Sequence, residues 1–146
     1  MEQCIFCQII AGSIPAKKLF EDDEVIAVLD IYPAAQGHIL LLPKKHSQNV
    51  EELDDDVFSH MGVIAQRMMI VMVANLKAEG VSVVVQNGAE AEQKAPHFIM
   101  HLIPRYKDDK LQLQIPRTEV DSKEIDELYK KLKPMIEQTI SGQKLK

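Results

Sequence analysis

Residues 96–105 read PHFIMHLIPR, and this stretch decides the fold. Its apolar, aromatic and β-branched residues end at Pro104, which predicts a strand over residues 97–103. Because side chains alternate between the two faces of a strand, His97, Ile99 and His101 would share one face. At about 3.3 Å of rise per residue, the two histidines would lie roughly 13 Å apart and could not bind one metal ion. They would belong to two sites, or one of them would have a structural role.

Patterns on the N-terminal side of this stretch predict the other strands. An acidic turn at residues 21–23 separates two apolar runs and predicts a hairpin, and Pro43 ends a buried strand that starts at His38. A QNG turn at residues 86–88 follows a further strand. The remaining predicted strands are residues 18–20, 24–31, 38–42 and 81–85. Because several of these strands are joined by short turns, we predict an α+β fold with an antiparallel sheet.

Three helices complete the predicted elements. The first is short and covers residues 5–11. The second covers residues 54–79, because an acidic first turn suits the positive end of the helix dipole and Gly80 ends the pattern. The third covers residues 121–140 and begins with a capping pattern, and Pro134 is expected to kink or break it. The second helix has a wide apolar band, so we expect it to bury more than one face, partly against another subunit.

The composition indicates one globular domain inside the cell. The chain has 146 residues, of which 46% are hydrophobic and 27% charged. Its net charge of −5 argues against a broad nucleic-acid surface but allows one phosphate held by backbone N–H groups and a few side chains. Residues 1–4 lack the features of a signal peptide, and the longest apolar run, residues 68–74, is too short to cross a bilayer. We therefore predict a cytoplasmic protein with no nucleic-acid or membrane partner.

Both cysteines lie in one Cys4-x-x-Cys7 unit, which is typical of metal ligands or of a redox pair. Two ordinary buried cysteines would look the same. A closed zinc site needs two further ligands, commonly histidines. One antiparallel register of the strands at 38–42 and 97–103 brings His38 near His101 at one end and His46 near His97 at the other. The candidate metal ligands under this hypothesis are Cys4, Cys7, His46 and His97.

Several of these residues also have a purely structural interpretation. A lone histidine is more often a hydrogen-bonded structural residue than a ligand, and His60 has no evident partner on its predicted helix. Asp30 can simply end a strand, and Asn87 fits a turn without any further role. Arg105 can be a surface charge. The motifs therefore carry more weight together than any one of them alone.

Taken together, the motifs resemble the histidine triad (HIT) family. The resemblance covers about residues 4–106 and rests on five segments in order. These are CIFCQIIAG (4–12), LDIYP (29–33), GHILLLPKKH (37–46), QNG (86–88) and PHFIMHLIPR (96–105). The resemblance implies one HIT-like domain over residues 1–146, with a core of about 4–106 and a C-terminal extension with a helix over about 107–146. It implies a five-stranded antiparallel sheet with one long helix, a short N-terminal helix and a C-terminal helix. It also implies a homodimer whose sheets join.

The same resemblance implies a function and a set of site residues. HIT proteins bind purine nucleotides such as AMP and cleave phosphoanhydride, phosphoramidate or related bonds. Carried over, Asp30 contacts the ribose hydroxyls and Ile31 lines the base pocket. Asn87 and His101 contact phosphate, and His38 is an active-site histidine or supports the residues that contact the ligand. A zinc-binding branch of the family places structural Zn²⁺ on residues that correspond to Cys4, Cys7, His46 and His97.

One position departs from the family's His-x-His-x-His motif. The middle histidine, which attacks the phosphorus and forms a covalent nucleotidyl intermediate, corresponds to Ile99. Isoleucine has no lone pair but suits a strand, so we expect the fold to persist and covalent catalysis to be lost. His101 would lie about 7 Å further along the strand, too far to take over the attack. Lys94, which follows Gln93 in the expected nucleotide site, would add charge for the phosphate or point to solvent.

The sequence thus predicts a purine nucleotide-binding homodimer whose hydrolase or transferase activity is lost or much reduced. The alternative is an active nucleotide hydrolase of altered mechanism, in which His101 or His38 acts without a covalent intermediate. A third hypothesis is a zinc-stabilised scaffold that has lost ligand binding, because structural zinc contributes folding energy.

Overall fold

One antiparallel sheet of five strands forms the centre of the molecule. In this computed structural model, which describes residues 4–142, the strands are β1 (Lys18–Glu21), β2 (Val25–Leu29), β3 (Ile39–Pro43), β4 (Gly80–Val85) and β5 (Met100–Arg105). Their order across the sheet is β1-β2-β3-β5-β4, with every neighbouring pair antiparallel. The helices are α1 (Ile5–Ile10), α2 (Asp55–Leu76) and α3 (Ser122–Gly142). The predicted α+β class and five-stranded antiparallel sheet are confirmed.

The chain separates into two units, Met1–Leu111 and Gln112–Lys146. The first contains the whole sheet with α1 and α2, and the second contains α3. Residues 1–3 and 143–146, which the predicted domain of residues 1–146 includes, lie outside the described residues. The sites described below all lie in the first unit.

The two central strands β2 and β3 are buried because both faces of the sheet are covered. Side chains on one face pack with α2, which contributes Met61, Ala65 and Met72 to the core. Side chains on the other face pack with α1 and with a segment next to β5. That second cluster consists of Ile26, Val28, Leu40 and Leu42, with Phe6, Ile9, Ile10, Ala16 and Ile99 packed against it. The alternation of side chains along a strand therefore separates a face toward α2 from a face toward α1.

Strand β5 begins at Met100, so the prediction that it begins at His97 is wrong. The Phe98 N–H donates to the Ser47 carbonyl at 2.6 Å, which holds this backbone away from the β-ladder. The strand also continues through Pro104 to Arg105, although Pro104 was expected to end it. Proline is tolerated within a strand where its position needs no ladder N–H.

The antiparallel pairing of β3 and β5 brings His38 near His101, as predicted. Leu40 lies opposite His101, and Ile39 lies opposite Leu102. His38 precedes β3 and meets His101 diagonally, with 3.0 Å between Nε2 of His38 and Nδ1 of His101. Diagonal neighbours on one face of a sheet are within reach of long side chains, so the two histidines still meet.

Helix α2 is shorter than predicted at its C-terminus. It ends at Leu76 because Lys77 adopts the left-handed conformation, with φ of 57°, and Gly80 instead begins β4. Its length and a hydropathy of 1.5 would also suit a membrane-crossing helix, and the core helix of a globular domain meets the same criteria. Only one face of α2 is buried in this chain. The apolar side chains of Val63, Ile70 and Val73 are exposed.

Helix α3 is a separate amphipathic helix in the second unit. Asp121 Oδ1 accepts the Lys123 N–H at 3.3 Å, which agrees with the predicted capping pattern. The helix continues through Pro134 to Gly142, so the proline does not break it. None of its described residues is buried, and its apolar side chains include Ile125, Leu132 and Ile136.

Candidate metal centre and ligand cleft

A cleft of about 500 Å³ lies on the α1 face of the sheet. Small-molecule sites are commonly clefts of this size with mainly apolar walls and a few polar groups. Its lining residues are Phe6, Asp30, Tyr32, Leu40, Gln86, Gln93, Lys94, Ala95, His97, Ile99 and His101. The cleft therefore brings together five residues singled out from the sequence for ligand binding or for the missing nucleophile: Asp30, Gln93, Lys94, Ile99 and His101.

His38 and His101 form a directed hydrogen-bonded pair at this cleft. Nδ1 of His38 accepts the Ala34 N–H at 3.1 Å, so a neutral His38 must carry its hydrogen on Nε2. That Nε2–H donates to Nδ1 of His101 across 3.0 Å. His101 in turn carries its own hydrogen on Nε2. The network thus assigns His101 the tautomer that donates a hydrogen bond through Nε2.

Burial lowers the pKa of both of these histidines, which favours their neutral forms. It lowers the pKa of His38, and the nearby Asp30 carboxylate only partly opposes it. Burial likewise lowers the pKa of His101, with a further contribution from His38 and a smaller opposing one from Asp30. Oδ1 of Asp30 accepts the Tyr32 N–H at 2.9 Å. Oδ2 of Asp30 is 3.5 Å from Nδ1 of His38. The Asp30 carboxylate therefore lies beside the hydrogen-bonded pair of His38 and His101.

Two predicted ligand residues, Asn87 and Gln93, make hydrogen bonds within the protein. Asn87 Oδ1 accepts the Val50 N–H at 2.8 Å, and its amide Nδ2 donates to the Glu51 carboxylate at 3.1 Å. Gln93 lines the cleft, but its Oε1 accepts the Gly88 N–H at 2.7 Å. Its Nε2 donates to the carbonyls of Gln48 at 2.8 Å and Ala95 at 3.1 Å. In this conformation both amides hold the loop in place.

Ile31 and Asn87 are not among the residues that line the cleft, and Ile31 is 75% exposed. Sequence reasoning in turn missed Phe6, Tyr32 and Leu40 as cleft residues. Leu40 had a detectable signal, because it lies two residues from His38 on the same face of a strand. Tyr32 follows Asp30 in a loop and carried no such periodic signal.

The four predicted metal ligands do come together. The ligand atoms of Cys4, Cys7, His46 and His97 all lie within 4.8 Å of one another. Sγ of Cys7 is 3.2 Å from Nδ1 of His46 and 3.8 Å from Nδ1 of His97, and Sγ of Cys4 is 3.5 Å from Nδ1 of His97. A tetrahedral site with the usual metal–sulfur and metal–nitrogen bonds has sulfur–nitrogen edges of roughly 3.5 Å. These residues can therefore hold one metal ion.

The protein also prepares His97 for that role. Its Nε2–H donates to the Pro43 carbonyl at 2.9 Å, which leaves the lone pair of Nδ1 facing the two cysteines. Such a second hydrogen bond commonly fixes the tautomer of a metal-bound histidine. Burial lowers the pKa of His97, which favours the neutral ring that a metal requires. Burial, followed by the contact with Cys4, raises the pKa of the Cys7 thiol. Metal binding must therefore release its proton.

Comparison with known proteins agrees with this architecture. Residues 11–108 match the family model of the HIT domain. An adenosine 5'-monophosphoramidase of Saccharomyces cerevisiae is 36% identical over 136 residues, which cover 92% of this chain and 83% of the yeast protein.

Solved structures give the same result. A histidine triad nucleotide-binding protein from Candida albicans has 31% sequence identity and a TM-score of 0.83, with 94% of this chain and 99% of the other covered. A zinc-bound histidine triad family protein from Mycobacterium smegmatis has 29% identity and a TM-score of 0.72, with 97% and 99% covered.

We expect the purified protein to bind one transition-metal ion per chain. Replacing Cys7→Ser should remove one thiolate ligand, reduce metal content well below one ion, and lower the free energy of unfolding because metal binding adds folding energy. Elemental analysis after gel filtration, together with urea denaturation, measures both effects. His60→Ala is the matched control, because His60 bonds Asp22 away from this set. Full metal content in the Cys7 variant would contradict the assignment.

We also expect the free energy of unfolding to fall as pH is lowered from 7 toward 5. Unfolded histidines protonate near pH 6.5, whereas burial lowers the pKa of folded His38 and His101. The unfolded state therefore binds more protons in this window. Stability is fully present above about pH 6.5 and is lost below it, by at most about 1.4 kcal/mol per pH unit for each proton.

Urea denaturation at steps of pH measures this slope. His101→Asn should flatten it, whereas Gln66→Asn, at an exposed position on α2 that carries no titratable group, should leave it unchanged. The same slope in all three proteins would show that the buried histidine pair does not control this pH dependence.

Proposed function

The chain belongs to the HIT family, and from this premise we propose that it is a purine nucleotide-binding protein that retains a nucleoside monophosphate such as AMP without cleaving it. The observation that carries this proposal is the composition of the cleft. Asp30, His101 and Lys94 line it together with the apolar Ile99. It combines polar groups suited to a nucleotide with the absence of a nucleophile at the position that the family motif assigns to one.

The polar residues have the chemistry that a nucleotide requires. A carboxylate such as Asp30 accepts hydrogen bonds from ribose hydroxyls. His101 offers an Nε2–H donor to a phosphate oxygen, in the tautomer that its bond with His38 supports. Lys94 is exposed at the cleft and adds a cation in a chain whose net charge is −5. Ile31, Asn87 and Gln93 complete the proposed nucleotide site, and the two amides would act mainly by ordering the loop.

Ile99 is the reason to propose binding without the family's usual reaction. Covalent nucleotidyl transfer requires a new nitrogen–phosphorus bond to the protein as the bond to the leaving group breaks. An isoleucine side chain has no lone pair to form it. Ile99 instead packs against the cluster of Ile26, Val28, Leu40 and Leu42. The alternative, direct attack by water assisted by His101 or His38, is an outcome of the experiment below.

We assign zinc to the cluster of Cys4, Cys7, His46 and His97. Two thiolates and two imidazoles in tetrahedral spacing are typical of structural Zn²⁺. When bound, the ion would supply folding energy, because it would link α1 to the segment after β3, which contains His46, and to the segment before β5, which contains His97. All four positions are filled by protein ligands, so this site offers no open position to a substrate.

We further infer a cytoplasmic homodimer. The exposed apolar side chains of α2 lie in the same unit as β4, the edge strand of the sheet, on which Val83 and Val85 are also 45% and 40% exposed. An apolar helix face and an unpaired strand edge together are typical of a surface that a second copy covers. This supports the expectation that two sheets join, and we propose that they join through β4.

Calorimetric titration with AMP and with adenosine 5'-phosphoramidate, with product assayed in the same samples, tests the proposed function. We expect both compounds to bind and neither to be cleaved. Asp30→Ala should weaken AMP binding about tenfold or more, because a hydrogen bond to a charged group contributes about 1.5–3 kcal/mol. Ile99→His should create phosphoramidate cleavage, and Ile99→Val, the apolar control, should not.

The possible contrary results are distinct. Cleavage by the unaltered protein would favour the altered hydrolase, and loss of that cleavage in His101→Ala or His38→Ala would identify its residues. Absence of binding would favour a metal-stabilised scaffold. An Ile99→His variant that binds AMP but cleaves nothing would contradict the assignment of position 99.

The dimer has its own test. We expect sedimentation analysis at micromolar concentrations to give the mass of two chains. Ile70→Glu should shift the mass toward one chain, because it places a charge on the exposed apolar face of α2. Leu19→Glu is the control, because Leu19 is similarly exposed but lies on β1 at the opposite edge of the sheet. A single-chain mass for the unaltered protein would refute the dimer.

A further inference from the structure

The metal cluster and the ligand cleft share a wall. His97 belongs to both, since its ring is a metal ligand candidate and also lines the cleft. Phe6 lies between the two cysteines on α1, lines the cleft, and has its ring centroid 5.9 Å from that of His97. We call Phe6, His97 and Ile99 the shared wall, because all three line the cleft. His97 is itself a candidate metal ligand, and Phe6 and Ile99 each lie within two residues of one in the sequence.

We propose that metal binding at Cys4, Cys7, His46 and His97 and nucleotide binding in the cleft are cooperative, coupled through the shared wall. This inference rests on the proposed nucleotide binding. It goes further because it makes the metal site a determinant of ligand affinity and gives the ligand an effect on how tightly the metal is held.

The first argument concerns how weakly α1 is fixed by itself. It has six residues, none of them buried, and no side-chain hydrogen bond caps its N-terminus. A helix this short is not stable in isolation, because few residues repay the cost of nucleation. Its position therefore depends on contacts outside the helix, among them the packing of Phe6, Ile9 and Ile10 on the sheet and the cluster that contains Cys4 and Cys7. A metal ion held by both cysteines would fix the helix and, with it, the Phe6 ring.

The second argument concerns the segment on the other side of the wall. His97 is fully buried and is held between the Pro43 carbonyl and the cysteines. Ile99 follows it by two residues and packs on the same apolar cluster as Phe6. This segment precedes β5 and is outside the ladder, so its position depends on the Phe98 N–H bond to the Ser47 carbonyl and on such side-chain contacts rather than on strand pairing. A metal bond to His97 would therefore restrict the residues that lead to His101.

Linkage then requires an effect in both directions. If the metal ion lowers the free energy of the wall conformation that the ligand uses, the ligand must raise the affinity for the metal by the same factor. Couplings between two sites in one protein are commonly 5- to 150-fold in affinity. Because the sites here share side chains, we expect at least about fivefold.

The primary experiment compares AMP binding by the zinc-loaded protein and by protein stripped with EDTA, each first checked for folding by circular dichroism. We expect the dissociation constant for AMP to rise at least about fivefold on stripping. The apparent zinc affinity, measured against a chromophoric chelator, should rise by the same factor at saturating AMP. Equal AMP affinity in two folded forms overturns the coupling and leaves nucleotide binding intact, whereas no binding by either form overturns both proposals.

Cobalt(II) gives a readout that does not need a folded metal-free chain. Its visible bands in a thiolate–imidazole site follow the geometry of the ligands. We expect AMP to change the bands of the cobalt-loaded protein. Phe6→Leu removes the ring contact with His97 and should abolish most of this change. Ile5→Val is the matched control, because Ile5 is on the same helix but 52% exposed and should keep the full change. The proposal is overturned if AMP does not change the visible bands of the cobalt-loaded protein, or if the change is as large in the Phe6→Leu variant as in the unaltered protein.

Discussion

The pairing of β3 with β5 is the contact on which the rest of the molecule depends. It joins the β1-β2-β3 meander to the β4-β5 pair, which no other strand contact connects among the described residues. Its register, with Leu40 opposite His101, sets His38 diagonally against His101 at one end. Where the chain leaves the ladder at the other end, His97 reaches the Pro43 carbonyl. One short ladder therefore positions both the polar group of the cleft and half of the metal ligands.

Much of this arrangement was predictable, because it follows from periodicity and from cysteine and histidine chemistry. The strand positions, the long helix and the grouping of Cys4 and Cys7 with two histidines needed only local pattern and one pairing hypothesis. The predictions that failed concern contacts between residues that are distant in sequence. The start of β5 is set by the Phe98 bond to Ser47, and His60, which has no partner on its own helix, bonds Asp22 at 2.6 Å from the β1–β2 turn. Arg105, interpreted as a possible surface charge, pairs with Asp109 at 2.7 and 2.8 Å.

Ile99 shows how an apolar side chain at this position supports the fold. The β-branched apolar side chain of Ile99 lies next to β5 and extends the cluster that contains Leu40 and Leu42. The free energy gained by burying this apolar surface offsets the absence of the hydrogen bonds that a polar side chain could make there. The contacts among Asp30, His38 and His101 involve no atom from position 99. The arrangement of these polar side chains therefore does not require a histidine there.

Retention and turnover make different demands on such a cleft. Turnover by the family's chemistry needs a nucleophile, and release of product must follow each cycle. Retention of a nucleotide needs hydrogen-bond donors that stay protonated and a cleft wall whose side chains are held in place. The bond from the Ala34 N–H to His38 fixes the donor tautomer of His101, and burial favours the neutral form of both rings. The remaining wall is formed by Phe6 and His97, both held next to the metal cluster. With Ile99 in place, these features are the ones that the proposed retention of a nucleotide requires.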